Sequence, residues 1–184
     1  MRSIGLSILF AFILQYCAAQ TPAVNTPSAE MVMKTALAQA AKENKNVILM
    51  FHASWCGWCH RMDSSLNDPS VKKFFDDNFV ITHLVVDETA ALKSYENAGA
   101  NELRTQYHGD GVGIPFWLVF DKNGKLLADS KIRTETDGPA GGNNIGCPAN
   151  ANEVAYFLEI LKKTSNLNDQ QLAIIAERFR KNEH

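Results

Sequence analysis

Five consecutive apolar residues, Val47-Ile48-Leu49-Met50-Phe51, constrain this chain more than any other feature. The run has the length of a strand and no polar alternation, which marks a strand covered on both faces. Such a strand needs a helical layer above and below it. His52 to Trp55 then leads into Cys56-Gly57-Trp58-Cys59-His60, and the chain reads as helix from Gly57 to about Leu66. Two cysteines therefore stand where a buried strand hands over to a helix.

The remaining elements follow from local signals. Ser28 is placed to cap a helix running to about Asn44, with Met33, Leu37, Ala40 and Ala41 toward the core. Asp68 or Ser70 is expected to cap a short helix through Phe75, and Phe79 to Val86 is β-rich. Residues 89–108 divide at Gly99 into two short helices. Phe116 to Phe120 is a second buried strand, and Asp121-Lys122-Asn123-Gly124 turns it back into Lys125 to Ser130. Residues 131–149 lack apolar periodicity and read as a long loop. Asn150 with Glu153, and Asn168 with Gln171, start the last helices. The expected fold class is α/β in three layers: a mixed central sheet, helices on both faces, and an extra C-terminal helix.

Arg2, the apolar stretch Ile4 to Ile13 and the small residues of Cys17-Ala18-Ala19 describe a signal peptide over 1–19, cleaved after Ala19. The stretch is short for a membrane span, which takes about 20 apolar residues. A retained anchor and a lipidated Cys17 are the alternatives. Residues 20–27 read as a linker, leaving 28–184 as one domain. The protein is expected to be exported, periplasmic or extracellular, with no stable membrane insertion after cleavage. A net charge of −2 without any basic block argues against a nucleic-acid partner.

Removing Cys17 leaves an odd number of cysteines: one close pair and Cys147. That is not a disulfide framework. A cysteine exchanges disulfides as the thiolate, and a free thiol has a pKa of about 8.5. The unpaired N–H groups and partial positive charge of a helix N-terminus favour the anion. Two intervening residues return Cys59 beneath Cys56 within one turn. Cys56 is expected to be the exposed nucleophile and Cys59 to resolve the mixed disulfide. The same five residues match the attachment motif of c-type haem. A strand feeding the motif, and Ile114-Pro115 before another strand, have no part in a small helical cytochrome. Zinc lacks a second Cys/His pair at ligand spacing. An inert disulfide across so short a loop contributes little. No metal is expected, and no cofactor beyond the disulfide itself.

Strand 47–51, Ala53-Ser54-Trp55-Cys56-Gly57-Trp58-Cys59, Asp87 after the next strand and Ile114-Pro115 before a hairpin resemble the thioredoxin superfamily, over roughly residues 30–165. The resemblance implies a thioredoxin-like fold with Pro115 in the place of the family's cis-proline, against the redox cysteines. Trp55 to Val71 and Phe120 to Lys125 are more similar to the C-terminal domain of the transmembrane disulfide reductase than to cytosolic thioredoxin. That implies an extracytoplasmic protein disulfide oxidoreductase, a reductase or electron relay. Its partners would be protein thiols and disulfides and an upstream electron donor, and it would act as a monomer. A non-catalytic binding module on the same fold is the other reading.

Three positions depart from thioredoxin. Met50 stands where thioredoxin keeps a buried acid that serves the deeper thiol. His83 on the neighbouring strand is a candidate substitute, set against the plainer reading of a satisfied histidine. Trp58 replaces a proline and His60 a lysine. As imidazolium His60 would favour the thiolate; an exposed histidine without that role is the alternative. Trp55, Gly57, Trp58, His60, Ile114 and Pro115 are the expected support for Cys56 and Cys59, with Trp55 as a surface contact and Phe51, Phe116 and Trp117 as core. Cys147 is either a mixed-disulfide partner of Cys56 or a free thiol.

Overall fold

The apolar run forms β1 (Asn46–His52), buried at its five central positions. β2 (Phe79–Val85) pairs with it in parallel, and β3 (Phe116–Phe120) pairs antiparallel on its other side. β4 (Leu126–Asp129) completes the order β2-β1-β3-β4. Parallel neighbours need a crossover; here it is α2 (Gly57–Leu66) followed by α3 (Lys72–Asn78). This is a computed structural model, and it describes residues 25–183. The signal peptide expected over 1–19, with Cys17, lies outside the described residues, as do residues 20–24 of the expected linker. Among the described residues no helix is long and apolar enough to cross a membrane.

Alternation along the strands divides the side chains between two cores. Ile48, Met50, Trp117 and Val119 meet α2, α3, α5 (Ala151–Thr164) and α6 (Asp169–Arg180). Val47, Leu49, Phe51, Phe116, Leu118 and Phe120 meet α1 (Ala29–Glu43) and α4 (Ala100–Gln106). The result is a thioredoxin-like mixed sheet with helices on both faces. α6 belongs to the first core: the Phe179 ring lies 4.9 Å from Phe157 and 6.2 Å from Phe75, centroid to centroid. Arg178 of the same helix pairs with Asp68. The Ser70 hydroxyl and N–H, with Arg178, hold the Asp68 carboxyl down at about 2.

Helix starts follow their caps. The Ser28 hydroxyl accepts from the Met31 N–H, and Asn150 with Glu153 and Asn168 with Gln171 form reciprocal capping boxes. Other details differ from expectation. α1 packs through its small residues Ala29, Ala36 and Ala40, flanked by Met33 and Leu37, and this leaves Ala41 exposed. Neither Asp68 nor Ser70 caps α3; the Asp68 carboxylate accepts from Ser70 instead. Residues 90–95 form a 3-10 turn rather than an α-helix. The stretch expected as a loop contains a small hairpin, β5 (Lys131–Ile132) with β6 (Asn143–Asn144). Buried Lys131 anchors it, its Nζ donating to the carbonyls of His108 and Ala140.

Candidate active site

Both sulfurs of the cysteine pair sit where β1 gives way to α2. Cys56 is the N-cap of α2, and its Sγ accepts from the Cys59 N–H at 3.1 Å. Cys56 and Cys59 form a disulfide. A c-type haem would need both sulfurs as thioethers, and here they are bonded to each other. Cys56 is 3 % exposed and Cys59 2 %, so the expectation of an exposed Cys56 is corrected. Ala53 and Ile114 pack against the pair, and the Ile114 carbonyl oxygen lies 3.5 Å from Cys56 Sγ. The bond from Ile114 to Pro115 is cis.

Aromatic side chains frame the disulfide. Trp55 is 57 % exposed and Trp58 48 %. Trp55 Nε1 donates to the Asp87 carbonyl, and the Arg61 guanidinium stands 4.7 Å from the centre of the Trp58 ring as a cation–π pair. A Cβ at Gly57 would meet nothing within 4 Å, so space does not demand glycine there. His60 Nε2 donates to the Ser54 carbonyl at 2.8 Å, tying the first turn of α2 to the loop before it.

A family model described as thioredoxin-like matches residues 30–122. The chain belongs to the thioredoxin-like family. Its sequence is 28% identical over 127 residues to protein disulfide isomerase-like 1-1 of Arabidopsis thaliana, a match over 62% of this chain and 25% of that one. The chain thus spans about a quarter of the length of that relative. A disulphide isomerase from Xylella fastidiosa is similar in structure, with a TM-score of 0.50 and 23% identity over 91% of this chain and 100% of that one. The oxidised C-terminal domain of DsbD from Neisseria meningitidis gives a TM-score of 0.37 at 24% identity, over 56% of this chain and 84% of that one.

Around this thioredoxin-like disulfide lie the candidates His83 and Cys147, together with Glu88, His52 and Asn182, which sequence pattern did not single out. The Glu88 carboxylate, buried, accepts from both the N–H and the hydroxyl of Ser54, fixing the approach to Trp55. His83 lies opposite Met50 in the sheet, and its Nε2 donates to Asp63 of α2 at 2.8 Å; it is a satisfied histidine. The His52 ring lies 5.0 Å from it. Cys147 is free and buried, and the Asn182 amide donates to its Sγ. Burial pushes its thiol up to about 12. A lone Asn near the C-terminus, such as Asn182, or an acid after a strand, such as Glu88, carries no periodic signal, and the partners are distant in sequence.

His52 makes the pH dependence specific. Burial lowers its pKa below the ordinary histidine value. His83, His60, Asp63 and Glu88 are the titratable groups around it, the two carboxylates opposing the shift. Between the lowered value and about 6.5 the unfolded chain binds a proton that the folded one does not, so stability falls as pH falls through that window. Urea midpoints are therefore expected to drop less from pH 7.5 to 5.5 in His52→Gln than in the parent. Parallel pH profiles in the two proteins would remove His52 from this role.

Proposed function

We propose that the chain is an extracytoplasmic thiol–disulfide oxidoreductase that reduces, or relays electrons to, protein disulfides as a monomer. The observation that carries this reading is Cys56 at the N-cap of α2, disulfide-bonded to Cys59, its sulfur accepting a helix amide. In the dithiol state the same amide and the helix dipole favour a Cys56 thiolate. That thiolate attacks one sulfur of a protein disulfide, and the other sulfur leaves. Cys59 then attacks Cys56 Sγ and expels the second substrate sulfur. The Cys59 proton passes to one released thiolate and water protonates the other. Two electrons reach the substrate and the Cys56–Cys59 disulfide remains; an upstream dithiol donor reduces it back to the dithiol and is itself oxidised to a disulfide.

Trp55, Trp58, His60, Ile114 and Pro115 shape the ground around Cys56, and Gly57 keeps its approach open. Cys147 stays a neutral thiol. The apolar N-terminal stretch supports export, with a mature protein starting at Gln20; the intact mass of the exported protein reads that directly. The activity is tested with insulin and dithiothreitol as donor. Turnover above dithiothreitol alone, and a Cys59→Ser protein trapped with insulin at Cys56, are expected. The absence of both turnover and adduct would overturn the reading. Equilibration with glutathione sets the direction: a potential near that of thioredoxin, about −270 mV, fits a reductase, and one near DsbA, about −120 mV, fits an oxidant.

A further inference from the structure

We propose that Arg61 is a docking point for a carboxylate of the partner protein, so that the redox site favours partners carrying Asp or Glu near the reacting disulfide. This rests on the oxidoreductase reading above and names a chemical feature of the partners. Arg104, Arg133, Arg178 and Arg180 each pair with a carboxylate. Arg61 is exposed and, among the described residues, pairs with none. A guanidinium carries five N–H donors in a planar fork. Here one Nη1 hydrogen goes to the Asn182 carbonyl at 2.8 Å, and among the described residues the other donors have no protein acceptor. Those donors are open to a carboxylate, which would accept two parallel hydrogen bonds from the fork.

The cation is held in place from two sides. Trp58 precedes Arg61 by three residues on α2, which puts both side chains on one face of the helix, and the guanidinium stacks on the indole. On the other side the Asn182 carbonyl is itself fixed, because the Asn182 side chain is buried and fully engaged. Its amide nitrogen donates to Cys147 Sγ and to the Pro148 carbonyl, and its amide oxygen accepts from the Ser65 hydroxyl and from Arg178. An arginine already oriented in this way loses less conformational entropy when a carboxylate arrives. Neighbouring charged groups are occupied elsewhere. The Glu153 carboxylate, beside Trp58, accepts from the N–H groups of Ala149 and Asn150, and His60 donates to the Ser54 carbonyl. Trp58 lies between the two cysteines in the chain and is half-exposed, so a protein bonded to Cys56 comes against it. The charge stacked on that ring stands beside the bound protein.

The test uses the reduced protein and short peptides whose single cysteine is activated as the neutral 2-pyridyl disulfide. A Glu, or its uncharged counterpart Gln, is placed at successive positions on either side of that cysteine. The Cys56 thiolate attacks the peptide sulfur, the bond to the pyridyl sulfur breaks, and pyridine-2-thione leaves and is read by its absorbance. The quantity compared is the Glu-to-Gln ratio of rates within each protein, so a general change in reactivity cancels. At one position or more the parent is expected to take Glu about fivefold faster than Gln at low salt, the upper end for an exposed ion pair. Salt at about 0.5 M should bring that ratio below about twofold. Arg61→Gln is expected to abolish the preference, and Arg61→Lys, which keeps the charge without the fork, to retain about twofold. Equal rates for Glu and Gln at every position would overturn the docking role, as would a preference as large in Arg61→Gln as in the parent. No thione from any peptide would overturn the oxidoreductase reading itself.

Discussion

Cys56→Ser lowers the rate of insulin reduction by a factor on the order of a thousand or more, because it removes the attacking sulfur. The fold survives the change. Cys56 contributes to structure as the N-cap of α2, and serine is among the preferred N-cap residues. The far-ultraviolet circular dichroism of the variant should therefore match the parent while activity is lost. A hydroxyl at that position stays protonated at neutral pH and does not displace a sulfur. Cys147 does not take over, since it is buried and its thiol is pushed up to about 12. Activity within tenfold of the parent would mean that Cys59 alone attacks substrate.

Phe179→Ala is the variant with the largest expected effect on stability. Its ring is fully buried and meets both Phe157 and Phe75, and Phe157 in turn meets Trp117 edge-on at 5.5 Å. Truncating a buried phenylalanine costs about 3–5 kcal/mol, from lost transfer energy and from the cavity left behind. Set against a total of about 5–15 kcal/mol for a domain, that is a large share. Urea denaturation should show it as a lower midpoint at unchanged slope. A loss under about 1 kcal/mol would mean that α6 is an appendage rather than part of the core.

What the sequence disclosed and what it hid divide along one physical line. β1, β3 and the caps at Ser28, Asn150 and Asn168 are local: a run of apolar residues, or a side chain reaching three positions ahead. So is the placement of Cys56 between strand and helix. The burial of Cys56 is not local, because Ile114 lies 58 residues further on. The β5–β6 hairpin was illegible for the same reason. Its strands are two residues each, too short for a period, and it is held by Lys131 and Asn144 reaching to His108, Gly113 and Pro115. The Ser54–Glu88 and His83–Asp63 contacts also join separate elements. Local chemistry placed the nucleophile, and tertiary contacts built the walls around it.

The aromatic contact of Phe179 also bears on the order in which the chain emerges from the ribosome. Phe75 and Phe157 are synthesised before the α6 ring that packs against both of them. At about 5–20 residues per second, residue 179 follows Phe75 by roughly 5–20 seconds. Throughout that interval the α2–α3–α5 side of the sheet lacks its last helix. A chain halted before residue 179 therefore lacks the third ring of the Phe75–Phe157–Phe179 cluster.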